Sequence, residues 1–267
     1  MTPSFGDASL RSDSHLAFVG GCQVGGFPVG ATRAFPHLVV HRLGEADSRA
    51  TYSVLQPVSL RRLPDVRLFL DEQNARVVVL QLGNFETGLK VSSLWRRRFG
   101  GRGLRAEGST EPTAMGAYQC QPDLALDGTG IRRGPRGAVR TSLHRLWLHR
   151  WVDVAGIAAG IDAFARAVSA DQQGLVVVID PLPAADTIVE RYRAEVRALL
   201  PEHPTAYTRL DLRDADAARN LWLFADPFHL SAKGHEWLAD RLTPLILTPL
   251  SIAKAGSQAA GSAVGAD

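Results

Sequence analysis

Short runs of aliphatic residues recur along the chain and alternate with longer amphipathic stretches. Runs of this kind are typical of parallel strands buried on both faces, because crossover helices cover both sides of such a sheet. We expect strands at residues 15–19, 37–41, 75–82, 175–179 and 205–212, and helices at about 60–73, 143–168, 187–200 and 232–242. The predicted fold is therefore α/β, a three-layer α/β/α sandwich around a mostly parallel, five-stranded sheet.

One domain accounts for most of the chain and spans residues 15–250. Residues 1–14 are polar, residues 251–267 are rich in Ala, Gly and Ser, and we expect both ends to be disordered. Within the domain, residues from about 90 to 142 are rich in Arg and Gly and lack a helical or strand period. We interpret this stretch as an insertion into the α/β domain.

The two cysteines, Cys22 and Cys120, lie neither in a Cys-x-x-Cys pair nor at metal-ligand spacing from a histidine. We therefore expect no bound metal and no disulfide. Residues 1–14 lack the basic start and apolar core of a secretory signal, and no uncharged apolar run reaches the length of a membrane span. This pattern predicts a cytoplasmic protein with no membrane partner.

Positive charge is concentrated in the insertion and its C-terminal flank. Residues 90–150 contain 12 Lys and Arg against 4 Asp and Glu, whereas the whole chain has a net charge of +3. Three interpretations remain open: a solvated insertion, a basic lid that docks an anionic substrate, or a nucleic-acid surface. No recognisable nucleic-acid module accompanies the arginines, so nucleic acid is the least favoured. The lid would use Arg96, Arg97, Arg98, Arg132 and Arg133.

The most specific motif lies near the C-terminus, where Asp226 and His229 occur in the stretch DPFHLSAKG before an amphipathic segment. An aspartate three residues before a histidine can accept a hydrogen bond from Nδ1 and leave Nε2 free as a base. The D-x-x-H-L-S-x-x-G pattern resembles the last conserved block of the SGNH, or GDSL-type, hydrolases. The resemblance implies a three-layer, flavodoxin-like sandwich, in agreement with the strand and helix pattern.

The first block of that family is Gly-Asp-Ser after the first strand, and the corresponding stretch here is Gly20-Gly21-Cys22, with Gly26 at the expected distance. Cysteine thus stands where the family has its nucleophilic serine. Gly20-Gly21-Cys22-Gln23 also resembles the Gly-x-Cys-Gln loop of bacterial polysaccharide-biosynthesis acetyltransferases. The resemblance further implies an oxyanion site with contributions from Gly44, Asn84 and Gln23, although Asn84 comes one residue earlier than in the family's Gly-x-Asn block.

These residues predict an acyl-transfer enzyme with Cys22 as nucleophile, His229 as base and Asp226 as its orienting carboxylate. We expect no bound cofactor, and a small-molecule or carrier-bound acyl substrate. Acyl-coenzyme A or an acyl carrier protein would suit the arginine-rich lid as donor. Two alternatives stay open: an esterase or thioesterase of the same fold, and a catalytically inactive binding domain. Cys22 and His229 could also be ordinary buried residues, and Asn84 could simply form a turn.

Overall fold

The computed structural model describes residues 15–46, 50–87 and 152–263. Five strands form one sheet: β1 (His15–Gly20), β2 (Thr51–Leu55), β3 (Val77–Gln81), β4 (Leu175–Ile179) and β5 (Thr208–Leu210). Five helices accompany them: α1 (Phe35–Ala46), α2 (Leu63–Gln73), α3 (Val154–Asp171), α4 (Thr187–Leu199) and α5 (Ala232–Ala263). Two short 3-10 turns, Ala31–Arg33 and Leu221–Leu223, lie in the loops.

All strand pairs are parallel, and the strand order is β2-β1-β3-β4-β5. The sheet separates two apolar cores, because alternate residues of each strand point to opposite faces. Val78 and Leu80 of β3 pack with residues of α2, α3 and α4 on one face. Val77 and Val79 pack with residues of α1 and α5 on the other. The three-layer sandwich predicted from the aliphatic runs is therefore confirmed.

The predicted second strand is wrong, because residues 37–41 belong to α1. Phe35, Val39 and Leu43 are buried at a spacing of four residues, which is the spacing of one helical face. The second strand in the structure is β2, which pairs only with β1 at the edge of the sheet. None of its residues is fully buried, so it lacks the continuous aliphatic run on which the prediction relied.

The final helix is longer than expected. We expected it to end near residue 242 and residues 251–267 to be disordered, whereas α5 continues to Ala263. Leu238, Leu242 and Ile246 are fully buried at four-residue spacing, so the helix keeps a core-facing side well beyond residue 242. Its last turns are rich in alanine, the residue with the highest helix propensity.

Several expectations fall on parts of the chain that lie outside the described residues: the disordered start at 1–14, the insertion at about 90–142 and the helix start at 143–151. Among the helices within the described ranges, none combines the length and the apolar character needed to cross a membrane.

Candidate active site

The carboxyl ends of the central strands bring the predicted site residues to one edge of the sheet. Gly20, the last residue of β1, pairs with Gln81, the last residue of β3, which in turn pairs with Ile179 at the end of β4. Cys22 follows the first of these strands by two residues and Asn84 follows the second by three. Ligands of parallel α/β sheets bind at this edge, so the placement agrees with the general rule.

Cys22 lies in a tight turn directly after β1. The N–H of Val24 donates to the carbonyl of Gly21, and the N–H of Phe27 donates to that of Cys22. Gly20 is required where the turn begins, because a Cβ there would lie 2.6 Å from the carbonyl oxygen of Gln81. Cys22 itself is half-buried.

Asp226 and His229 form the predicted pair. His229 Nδ1 lies 2.7 Å from Asp226 Oδ2, while Asp226 Oδ1 accepts hydrogen bonds from the backbone N–H groups of Phe228 (2.8 Å) and His229 (2.9 Å). A carboxylate can only accept, so Nδ1 carries the proton in this pair. The other ring nitrogen, Nε2, is thereby left free of this pair. Cys22 lies close enough to His229 to raise the pKa of the imidazole.

The rest of the C-terminal motif builds the start of α5 rather than the site. The Ser231 hydroxyl donates to the carbonyl of Trp222 (2.7 Å) and accepts from the N–H of Gly234 (3.1 Å), so Ser231 caps the helix. A Cβ at Gly234 would collide with the carbonyl of Leu223. The motif therefore fixes the loop that carries His229 against the helix behind it.

The electrostatics of Asp226 and His229 favour an ionised carboxylate beside a protonated imidazole. Burial lowers the pKa of His229, but its hydrogen bonds to Asp226 and Cys22 outweigh burial and raise the pKa from 6.5 to about 9. Burial raises the pKa of Asp226, and the hydrogen bond from His229 outweighs it, so the net change is downward. At neutral pH, Asp226 is ionised and His229 is able to retain a proton received from Cys22.

Gln23 does not occupy the oxyanion or substrate position that we expected. Its side chain is buried, its Nε2 donates to the carbonyl of Phe228 (3.1 Å), and its Oε1 accepts from the N–H of Leu230 (3.2 Å). Both polar ends of the amide are therefore engaged by the backbone on either side of His229. Gln23 ties the nucleophile turn to the histidine loop, two segments that are about two hundred residues apart in sequence.

Gln23→Leu is expected to lower the free energy of unfolding by about 2 kcal/mol, because it leaves a buried carbonyl and a buried N–H without partners. Alkylation of the Cys22 thiol by iodoacetamide should also slow, since His229 is no longer held in place. Urea unfolding and mass spectrometry measure the two effects. Gln173→Leu, a substitution at an exposed glutamine on the loop after α3, is the control and should change stability by less than about 0.5 kcal/mol. Unchanged stability and an unchanged alkylation rate in Gln23→Leu would contradict the role of Gln23 in connecting the nucleophile turn to the histidine loop.

Asn84 lies next to the nucleophile turn, as predicted. Its Oδ1 accepts from the N–H of Leu182 (2.9 Å), so the amide is oriented and its Nδ2 group is the end left to donate. The neighbouring Phe85 ring stands 3.4 Å from the position a Cβ on Gly21 would take. The segments that carry Asn84 and Cys22 are therefore packed side by side.

Gly44 is not brought to this site. It lies within α1, and it lines a cleft with His37, Thr51 and Tyr52. Thr51 begins β2 and pairs with His15, which begins β1, so this cleft is at the amino edge of the sheet. The predicted oxyanion role of Gly44 is wrong, because it depended on a second strand at residues 37–41, which the structure places in α1. The residue that follows β2 is Gln56, whose amide packs against Gly25 of the nucleophile turn.

Two supporting residues were not found from the sequence. Gln81 is buried at the end of β3, and its Oε1 accepts from the N–H of Gly21 (3.2 Å). Arg193 of α4 is buried and near enough to Cys22 for their charges to attract. The sequence signal for Gln81 is its position near the end of an aliphatic run, and nothing in the sequence marks Arg193. Glu86, two residues after Asn84, accepts from the N–H of Leu60 (2.8 Å).

The predicted anion-docking residues, Arg96, Arg97, Arg98, Arg132 and Arg133, and also Cys120, lie outside the described residues. In the described part of the chain, no three His, Cys, Asp or Glu side chains come together as a metal site.

Comparison with known proteins identifies the fold. No family model matches the chain, and no curated protein matches it. TesA, a solved structure, has a TM-score of 0.50 at 14% identity, over 88% of this chain and 99% of TesA. A GDSL-like lipase from Bacteroides thetaiotaomicron has a TM-score of 0.50 at 10% identity, over 90% of each chain. A candidate acylhydrolase from Bacteroides fragilis has a TM-score of 0.51 at 10% identity, over 90% of this chain and 89% of that one.

These similarities extend over nearly the whole length of the compared chains and establish a shared α/β architecture with a five-stranded parallel sheet. The fold expected from the resemblance to GDSL-type hydrolases is thus the fold that the chain adopts. Fold does not decide chemistry, so the function has to be argued from the residues at the carboxyl edge.

Proposed function

We propose that the protein is an acyl-transfer enzyme that moves an acyl group from an ester or thioester donor to an acceptor through an acyl-Cys22 intermediate. The observation that carries this proposal is the hydrogen-bonded pair of Asp226 and His229, with Cys22 beside it, at the carboxyl edge of the sheet. A half-buried cysteine beside a half-buried imidazole–carboxylate pair is an arrangement that can activate cysteine as a nucleophile.

The reaction proceeds in two balanced steps. His229 Nε2 takes the proton of the Cys22 thiol, and the thiolate attacks the donor carbonyl. The tetrahedral intermediate collapses with loss of the alcohol or thiol leaving group, which receives the proton from His229, and an acyl-thioester remains on Cys22. An acceptor then gives its proton to His229 and attacks the thioester. Cys22 leaves as thiolate and recovers the proton, so the enzyme returns to its starting state.

Two donors are available for the oxyanion. Among the described residues, the turn hydrogen bonds use the N–H groups of Gly21, Val24, Gly26 and Phe27, and the N–H of Cys22 remains to donate. The oriented Asn84 amide supplies the second donor through Nδ2. A single donor of this type contributes about 3 kcal/mol to lowering the barrier. We therefore propose Asn84 as an oxyanion donor, without Gly44 and Gln23.

Cysteine at the nucleophile position favours transfer over hydrolysis. A thioester is more susceptible to attack by amines and thiols, relative to water, than an oxygen ester is. We therefore place the transferase ahead of the esterase or thioesterase. The two are distinguished by product analysis with and without alcohol, amine and thiol acceptors. If water remains the preferred acceptor across the panel, the enzyme is a hydrolase.

Intact-protein mass spectrometry tests the proposal itself. After incubation with p-nitrophenyl acetate or acetyl-coenzyme A, the wild-type protein is expected to gain the mass of one acetyl group. Neutral hydroxylamine should remove the group, as it does from thioesters. An unchanged mass across a broad panel of activated donors, together with slow alkylation of Cys22, would favour the inactive binding domain.

The arginines of the insertion are the candidate binding site for an anionic donor. We propose that Arg96, Arg97 and Arg98, with Arg132 and Arg133, dock the phosphates of acyl-coenzyme A or of a carrier protein's phosphopantetheine arm. Replacement of Arg96, Arg97 and Arg98 by alanine is expected to slow acylation by acetyl-coenzyme A about tenfold at low ionic strength, with the difference shrinking as salt is added. Stopped-flow measurement of the acylation rate at several salt concentrations tests this expectation. The uncharged donor p-nitrophenyl acetate is the matched control and should react equally with both proteins; equal loss with both donors would contradict docking.

A further inference from the structure

Helix α4 turns a charged face toward the protein interior. Glu190, Arg193 and Arg197 recur along one side of the helix, and both arginines are buried. Burying three ionisable side chains on one helix is costly unless each finds partners. Their partners lie in the loop that follows β4, residues 181–184, and this loop borders the candidate active site through Asn84.

Each side chain holds a different backbone group of this loop. Arg197 donates to the carbonyl of Pro181 (2.9 Å). Arg193 donates to the carbonyl of Leu182 (2.9 Å). Glu190 accepts from the N–H of Ala184 (2.6 Å) and also pairs with Arg197. The loop is therefore fixed along its length by the buried face of α4.

Arg193 also reaches the segment that carries Asn84. Its Nε donates to the hydroxyl oxygen of Thr87 (3.3 Å), and that hydroxyl lies 2.9 Å from the carbonyl of Gly83 and 3.2 Å from the carbonyl of Asn84. On the other side, Leu182, whose carbonyl Arg193 binds, donates its N–H to Asn84 Oδ1. Arg193 is thus connected to the backbone of Asn84 through Thr87 and to its side chain through Leu182.

We infer that Arg193 is a positioning residue that aims the Asn84 amide at the oxyanion of the acyl-transfer reaction. This inference rests on the proposed function and names a residue to which the family resemblance assigns no role. Donation to the Leu182 carbonyl holds in place the residue whose N–H binds Asn84 Oδ1. An oxyanion donor is effective only when it is held in place before charge develops.

The charge of Arg193 supports the same role. Burial lowers its pKa to about 10, against the opposing attraction of Glu190, so the guanidinium stays protonated at neutral pH. A charged donor makes stronger hydrogen bonds to Thr87 and Leu182 than a neutral one would.

The test compares Arg193→Met with Arg197→Met, because Arg197 lies one turn further along the same buried face and contacts neither Thr87 nor Leu182 in the described structure. Acylation by p-nitrophenyl acetate is followed at several ester concentrations to separate binding from the rate constant. Arg193→Met is expected to lower the acylation rate constant by about tenfold to a hundredfold with the binding constant unchanged. Arg197→Met should lower the rate constant clearly less than Arg193→Met does, because Arg197 binds the Pro181 carbonyl of this loop but does not reach Thr87; equal losses in the two variants would overturn the inference.

Combination with Asn84→Ala separates positioning from general damage. If Arg193 acts through Asn84, adding Arg193→Met to Asn84→Ala should slow acylation by less than about threefold more. Full multiplication of the two losses would overturn the inference. Thr87→Val, which keeps the side-chain shape, should give a smaller loss in the same direction and serves if Arg193→Met does not fold.

An independent readout keeps this inference distinguishable from the proposed function. The side-chain amide resonance of Asn84, observed by ¹⁵N NMR, should shift or broaden more in Arg193→Met than in Arg197→Met. Absence of any adduct on the wild-type protein would overturn the proposed function. An unchanged Asn84 resonance together with an unchanged acylation rate constant in Arg193→Met would overturn the inference about Arg193.

Discussion

Cys22→Ala is expected to abolish the covalent acetyl adduct and to reduce turnover of p-nitrophenyl acetate to the background rate. The variant removes the sulfur that forms the proposed thioester, while Asp226 and His229 keep their hydrogen bonds to each other and to the loop. Loss of a nucleophile that works as a unit with its base removes most of the catalytic acceleration, about 10⁴-fold or more. Mass spectrometry detects the adduct, and release of p-nitrophenolate gives the rate.

The second cysteine is the matched control. Cys22 and Cys120 are the two thiols of the chain, so Cys120→Ala should retain both the adduct and the turnover. An adduct that persists in Cys22→Ala and disappears in Cys120→Ala would move the chemistry to the other thiol. Cys22→Ser adds a finer comparison: any acetyl group on serine is an oxygen ester, which resists neutral hydroxylamine under conditions that cleave a thioester.

The fold could be predicted largely because the central strands are buried on both faces. β1, β3 and β4 are mostly consecutive buried aliphatic residues, and such runs are visible without any knowledge of tertiary contacts. Edge strand β2 carries half-exposed side chains instead, and the buried face of α1 has an aliphatic run that imitates a strand. The misassignment of α1 then moved the expected oxyanion glycine to Gly44, at the opposite edge of the sheet.

Contacts between site residues that are close in sequence could be predicted. Roles that depend on contacts between residues distant in sequence could not. Asp226 and His229 meet because three residues separate them on one loop. The role of Gln23 depends on contacts to residues more than 200 positions away, and Arg193 reaches Thr87 across 106 positions. No local pattern distinguishes a glutamine that binds substrate from one that ties two loops together. Tertiary contacts decided both assignments.

Asp226→Asn is expected to slow acylation by about 10³-fold to 10⁴-fold while leaving the fold intact. Oδ1 accepts from the backbone N–H groups of Phe228 and His229, so the asparagine oxygen has to stay at that position. The NH₂ group then takes the place of Oδ2 and faces His229 Nδ1, 2.7 Å away in the wild-type protein. A donor facing Nδ1 forces the ring proton onto Nε2, the nitrogen that must accept the thiol proton.

The same substitution changes the pH dependence. In the wild-type protein, burial lowers the pKa of His229, but the hydrogen bonds to Asp226 and Cys22 raise it from 6.5 to about 9. A raised pKa means that the protonated histidine stabilises the fold fully below pH 6.5, and that this contribution is lost as the pH rises through about 9. Without the carboxylate, the pKa of His229 should fall, and the alkaline loss of stability should disappear. Titration of the His229 ring resonances by NMR and urea unfolding between pH 6 and 10 measure the two changes.

Asp216→Asn is the matched control, because Asp216 Oδ1 accepts from the backbone N–H groups of Ala218 (3.0 Å) and Arg219 (3.2 Å) in a similar turn. Its turn contains no histidine, so this substitution tests the loss of a carboxylate from a loop without touching the proposed chemistry. We expect it to leave acylation and the pKa of His229 unchanged. If Asp226→Asn slowed acylation no more than Asp216→Asn did, the carboxylate would not set the histidine tautomer, and Cys22 would have to be activated by His229 alone.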